Sequence, residues 1–167
     1  MEHNDKAVEI LKTAILLERR GKAFYTQTAR QSESKSTKQI FEMMAEEEEA
    51  HVEFLMKQFK HYSEHHEFMI NDAAPIEDDT AAEILTEKIK NEITAASFEA
   101  AAISAAIDFE NRAIEIYSGR AKEATDLNEK ALYQMLAQWE GTHHRLLHKL
   151  DEDLKEQIWN DNSFWPF

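Results

Sequence analysis

The chain has 167 residues, of which 19 are Lys or Arg and 33 are Asp or Glu, so its formal net charge is -14 at pH 7. This negative charge argues against nucleic-acid binding and favours attraction of cations. The absence of cysteine excludes disulfides, thiolate zinc sites, iron–sulfur clusters and thiol nucleophiles. No run of 18 apolar residues and no leader-like N-terminus is present, so we expect a cytoplasmic chain without a membrane partner.

Helix-forming residues dominate the sequence, which contains only three glycines and two prolines. This composition predicts an all-α fold. Apolar residues at helical spacing predict four long helices, over about residues 5–29, 34–62, 97–124 and 126–157. Polar residues suited to N-caps stand at their starts: Asp5, Ser34, Ser97 and Asp126.

The lengths of the connections predict the topology. Short breaks join the helices into two antiparallel hairpins, 5–62 and 97–157, whereas the crossover 63–96 is long enough to span the bundle. The crossover contains a turn-like Asn-Asp pair, Pro75 and a short helix after Asp79. We therefore expect a single ferritin-like four-helix bundle over 1–167, with an aromatic tail, 158–167, that packs as an extended cap or contacts another subunit.

The two hairpins are related by an internal repeat with an offset of 92 residues. The offset superposes identical residues along the hairpins: Ile15 on Ile107, Arg20 on Arg112, Tyr25 on Tyr117, Met43 on Met135 and Leu55 on Leu147. It also superposes residues that can bind metal: Glu18 on Glu110, Glu48 on Glu140 and His51 on His143.

A run of four glutamates, 46–49, contains one member of this repeat. The other three, Glu46, Glu47 and Glu49, fall on Gln138, Trp139 and Gly141. Only Glu48 is therefore predicted to have a chemical role. Trp139, with other large apolar residues at helical spacing, is interpreted as core.

The spacing of the repeated residues predicts a metal centre. Residues three apart share a helix face, so each Glu-x-x-His pair points a carboxylate and an imidazole at one ion, and the first and third long helices each add a carboxylate. This is the pattern of di-iron and di-manganese bundles. The six predicted ligands are Glu18, Glu48, His51, Glu110, Glu140 and His143. Oxygen-rich donors suit iron or manganese, and zinc would also bind.

A simpler interpretation is that each Glu-x-x-His lies on a solvated helix face, because a single such pair is common in Glu-rich helices. Two such pairs that one offset aligns together with two further glutamates are much less common on solvated helix faces. Glu18 and Glu110 also follow mostly apolar stretches, AILL and AAIDF, and buried carboxylates need partners. The metal centre is therefore favoured.

Four segments of the chain resemble the rubrerythrin family of the ferritin-like superfamily: LLERRGKAFY, MMAEEEEAHVEFL, DFENRAIEIY and LAQWEGTHHRLL. The resemblance implies two iron ions, with Glu48 and Glu140 as bridging ligands and the other four predicted ligands as terminal ones. It also implies that Tyr25 and Tyr117 hydrogen-bond ligand carboxylates.

Two departures from the family pattern affect the expected activity. Rubrerythrins proper carry a rubredoxin-like module held by four cysteines, which this chain lacks, so its electrons must come from an external donor. They also usually carry a further glutamate three residues after the third-helix ligand, where this chain has Ala113. That glutamate takes part in peroxide reduction, so the six-ligand set is more similar to ferritin and bacterioferritin centres.

We therefore expect a di-iron redox protein that reacts with O2 or hydrogen peroxide, either to remove oxidants or to oxidise ferrous iron. The alternatives are a non-catalytic iron-binding or storage protein and a scaffold that holds zinc. A homodimer is expected, because the aromatic tail needs cover and the long crossover permits the two chains to exchange hairpins.

Overall fold

The computed structural model describes residues 2–70 and 79–160, and their side chains over 6–70 and 84–160. These residues form five helices, α1 (Glu2–Gln31), α2 (Lys35–His65), α3 (Asp79–Glu92), α4 (Phe98–Glu123) and α5 (Leu127–Asn160), and no strand. The predicted all-α bundle is confirmed. No helix within the described residues is long and apolar enough to cross a membrane.

Two helix pairs, α1 with α2 and α4 with α5, pack along their lengths. Side chains cap three of the four long helices as predicted. Ser34 Oγ accepts from the N–H of Thr37 at 3.1 Å, Ser97 Oγ from Ala100 at 3.2 Å, and Asp126 Oδ1 from Glu129 at 2.8 Å. The fourth predicted cap, Asp5, is wrong, because α1 begins three residues earlier and continues through it.

The long helices α1, α2 and α5 also end two or three residues later than predicted, at Gln31, His65 and Asn160. The sequence at these ends contains polar residues that tolerate helix, so the apolar period alone did not show where helix stops. The predicted turn and Pro75, as well as most of the predicted aromatic tail, lie outside the described residues.

The crossover helix α3 contacts α2 and α5, and its last residue holds the start of α2. The Glu92 carboxylate accepts from Ser34 Oγ at 2.7 Å, from Ser36 Oγ at 2.6 Å and from the Ser36 N–H at 3.0 Å. These hydrogen bonds from Ser36 and Ser34 lower the pKa of Glu92 to about 2. Glu92 therefore satisfies helix N-terminal donors that would otherwise depend on water.

Glu92→Gln is expected to destabilise the metal-free protein at pH 7 by about 1 kcal/mol, the usual effect of losing a cap, or about 2–4 °C in melting temperature. The pKa of Glu92 is lower in the folded chain than in the unfolded one, so its contribution is present above about pH 4.5 and is lost as the pH falls toward 2. The difference in melting temperature between the two proteins should therefore shrink as the pH is lowered from 7 to 3. Glu87→Gln on the same helix removes the ion pair between an exposed carboxylate and Lys90, which keeps its second ion pair with Asp153, so this variant should cost little at either pH.

The apolar core consists of two clusters. One contains Tyr25, Phe41, Ile103 and Leu147, and the other contains Leu11, Leu55, Ala113, Tyr117 and Leu136. Each long helix contributes to both clusters, and on each helix the predicted ligands lie at the point where it passes from one to the other. A buried layer of acids and imidazoles therefore separates two dry regions.

Candidate metal centre

The six predicted ligands lie in the interior and come together in one layer. Their exposed fractions are between 0 % and 4 %, although four of them are glutamates. Charged side chains are seldom buried so fully unless they are paired or bind metal. The structure thus brings together all six residues that the repeat identified: Glu18, Glu48, His51, Glu110, Glu140 and His143.

The layer consists of two overlapping groups, and in each group one ligand atom per residue lies within 4.8 Å of all the others. The first group joins Glu18 and His51 to Glu48 and Glu140. The second joins Glu110 and His143 to the same two glutamates. Glu48 and Glu140 belong to both groups, which is the arrangement that bridging ligands need. That these residues bind metal stays a prediction.

Unsatisfied polar atoms indicate what the layer accommodates. Both oxygens of Glu48, Oε2 of Glu110, Oε1 of Glu140 and Nδ1 of His143 are buried and have no hydrogen-bond partner. Such atoms are costly in a dry interior, and acceptors that converge on a common centre are satisfied by a cation. The residues therefore fit a pair of metal ions, and four carboxylates with two imidazoles suit iron or manganese.

The crowded acids change the protonation of the layer in the metal-free protein. Burial, together with the charges of Glu18 and Glu48, raises the pKa of Glu140 well above its usual value. Burial alone would lower the pKa of His51, but the nearby carboxylates of Glu140, Glu18 and Glu48 outweigh burial and raise that pKa. In the metal-free protein, protons on these side chains therefore offset part of the negative charge of the layer, and metal binding must release them.

Two tyrosines link the halves of the chain. Tyr25 of α1 donates a hydrogen bond to Glu110 of α4, and Tyr117 of α4 donates one to Glu18 of α1. Burial, followed by the charge of the neighbouring carboxylate, raises both tyrosine pKa values well above 10. Both hydroxyls therefore keep their protons and act only as donors that orient the two carboxylates.

Gly21 makes room for one of the shared carboxylates. A Cβ at this position would lie 3.1 Å from Cδ of Glu48 and 3.0 Å from Cε1 of Phe109. Both distances are shorter than normal contacts, so a side chain here would displace the carboxylate or the ring. The absence of a side chain at Gly21 lets Glu48 lie close to α1.

Glu47 has a role that the sequence reasoning missed. Its Oε2 lies 2.6 Å from Nε2 of His143, on the side of the ring away from the layer. The repeat gave no indication of this contact, because Glu47 falls on Trp139. The available signal was positional: each residue just before a shared glutamate lies next to the histidine of the other half. Trp139 accordingly stacks on His51, with ring centroids 4.4 Å apart and planes 11° apart.

Comparison with known proteins agrees with this geometry. A family model described as Rubrerythrin matches residues 9–154. This range contains all six predicted ligands and both tyrosines. No curated protein and no solved structure matches the chain.

Proposed function

Because the chain belongs to the rubrerythrin family, whose domain is a ferritin-like di-iron one, we propose that it is a redox protein that binds two iron ions and reacts with hydrogen peroxide or O2. The observation that carries the proposal is the pair of overlapping buried groups that share Glu48 and Glu140. Two ferrous ions held there would supply the two electrons that, with two protons, reduce hydrogen peroxide to two molecules of water.

The protein residues have separate tasks in this proposal. Glu48 and Glu140 would hold both ions, and Glu18 and Glu110 would each hold one of them. Tyr25 and Tyr117 fix the outer carboxylates by donating to Glu110 and Glu18. The two apolar clusters on either side exclude water, which strengthens every charge interaction inside the layer.

A cavity of about 180 Å³ between α1 and α4 supports the proposal that the substrate is a small molecule. Its walls are mostly apolar, among them Ala14, Leu17 and Ile116, and it reaches Tyr117, whose hydroxyl bonds Glu18. The volume suits O2 or hydrogen peroxide better than a large organic molecule. None of the six predicted ligands lines this cavity, and Tyr117 is the residue that joins it to the layer.

The test is an anaerobic titration with Fe²⁺ followed by oxidant. We expect binding to saturate at two ions per chain, both ions to be oxidised by one equivalent of hydrogen peroxide, and a reductant to restore the starting optical spectrum. Comparing the rates with peroxide and with O2 identifies the preferred oxidant. Loading of many ions with mineral formation would instead indicate storage, and exclusive retention of zinc would indicate a scaffold.

Tyr117→Phe provides a variant that separates positioning from binding. It removes the hydroxyl that donates to Glu18 and keeps the ring, so we expect two ions still to bind and the oxidation rate to fall. A rate equal to that of the unaltered protein would contradict the role given to Tyr117. The external electron donor, the homodimer with exchanged hairpins and the cytoplasmic location stay predictions.

A further inference from the structure

The two halves of the layer have different surroundings, although the repeat makes their ligands identical. On the side of His143 away from the layer, Oε2 of Glu47 lies 2.6 Å from Nε2. His51 instead stacks on the indole of Trp139, with ring centroids 4.4 Å apart. The carboxylates that approach His51, those of Glu18, Glu48 and Glu140, lie nearest to Nδ1, at 3.0, 3.7 and 3.4 Å. The offset of 92 maps Glu47 onto Trp139, so the same position has an acid in one half and an aromatic ring in the other.

The carboxylate and the indole act differently on a histidine ligand. An acceptor at Nε2 keeps the proton on that nitrogen, directs the Nδ1 lone pair to the metal and makes the imidazole a stronger donor. A stacked indole holds the plane of the ring but adds no charge. Phe54, 5.5 Å from Trp139 and nearly perpendicular to it, fixes the indole in that place.

The metal-facing nitrogens differ as well. Nδ1 of His143 has no hydrogen-bond partner, and its nearest carboxylate oxygen, Oε1 of Glu110, is 3.4 Å away. Nδ1 of His51 already shares a hydrogen bond with Oε2 of Glu18 at 3.0 Å. An ion that binds His51 and Glu18 must first break that bond, whereas an ion that binds His143 and Glu110 breaks none of this kind.

From these differences we infer that the two metal positions are unequal. The position formed by Glu110 and His143 with the shared glutamates fills first and binds its ion more tightly. Glu47 is the positioning residue that causes this higher affinity. The position formed by Glu18 and His51 is the one that exchanges its ion. The inference rests on the proposed two-metal site. It gives the protein one retained ion and one that enters and leaves.

Titration of the metal-free protein with Co²⁺ tests the inference without any turnover, because visible absorption and calorimetry report each binding step. We expect two steps at least about tenfold apart in affinity, since loss of an outer-shell partner typically changes metal affinity by 10–100-fold. His51→Ala should keep the tight step and lose the weak one. His143→Ala should lose the tight step.

Variants at Glu47 test its role directly. Glu47→Ala should weaken the tight step by about 10–100-fold and leave the weak step unchanged. Glu47→Gln still accepts a hydrogen bond but lacks the charge. Its affinity at the tight step should therefore lie between those of the unaltered protein and Glu47→Ala. Glu46→Ala, the matched control, removes an exposed carboxylate from the adjacent position and should change neither step.

Three results would overturn the inference: equal affinities in the unaltered protein, loss of the tight step in His51→Ala instead of His143→Ala, or equal effects of Glu46→Ala and Glu47→Ala. Each of these leaves the two-metal site intact. Failure to bind two ions at all would instead refute the proposed function and the inference with it.

Discussion

Simultaneous replacement of Glu48 and Glu140 by alanine is expected to abolish metal binding at concentrations that saturate the unaltered protein. These are the two residues that both four-ligand groups share. Their loss leaves each position with one carboxylate and one imidazole, too few ligands to hold iron in a protein interior. Anaerobic Fe²⁺ binding, measured as ions retained per chain after gel filtration, should fall from two to near zero.

Exposed glutamates on the same helices provide the control for this double variant. Glu46→Ala with Glu152→Ala makes the same change in net charge from α2 and α5 and should retain two ions. Helical circular dichroism should be similar in both variants, since alanine has the highest helix propensity. Two ions bound with unchanged oxidation kinetics in the Glu48/Glu140 variant would contradict the assignment of the bridging ligands.

Gly21→Val is expected to disable the centre from a residue that binds nothing. The new Cβ would meet Glu48 at 3.1–3.2 Å, and the branched methyl groups would occupy space next to the carboxylate. We expect affinity for both ions to fall at least as much as on loss of an outer-shell partner, about 10–100-fold, because Glu48 belongs to both groups. Valine is a better helix former than glycine, so α1 itself should not be weakened.

Gly119→Val is the matched control, because a Cβ at Gly119 has no heavy atom within 4 Å. It introduces the same side chain into the helix of the other half and should leave metal binding unchanged. Isothermal titration of both variants with Co²⁺ measures the difference. Equal affinities in Gly21→Val and in the unaltered protein would show that Glu48 has room to move without loss of the centre.

The repeat explains why so much of the candidate centre was predictable. A ligand needs a fixed residue type at a fixed helical position, and both halves meet the same requirement, so Glu48 and Glu140 are visible in the sequence without knowledge of the fold. Glu47 and Trp139 support the histidines through contacts between helices that are distant in sequence. Different side chains can fill those places, so a search for equal residues does not find them.

The same distinction applies to the fold. Helices and caps such as Ser34 and Ser97 depend on neighbours within four residues, and sequence patterns predicted them. The attachment of α3 to the start of α2 depends on Glu92 reaching Ser36, which is 56 residues away along the chain. No local pattern contains that information, so the sequence predicted the short helix after Asp79 but not its contact with α2.

The tyrosine hydrogen bonds have a consequence for assembly. Tyr25 and Glu110 lie in different hairpins, as do Tyr117 and Glu18, and each four-ligand group also draws on both hairpins. A fragment that ends within the crossover would therefore contain neither complete set of donors, whereas two complementary fragments mixed together would contain both. Addition of ferrous iron should drive such fragments to associate, so the amount of iron bound measures how much of the protein has both hairpins assembled.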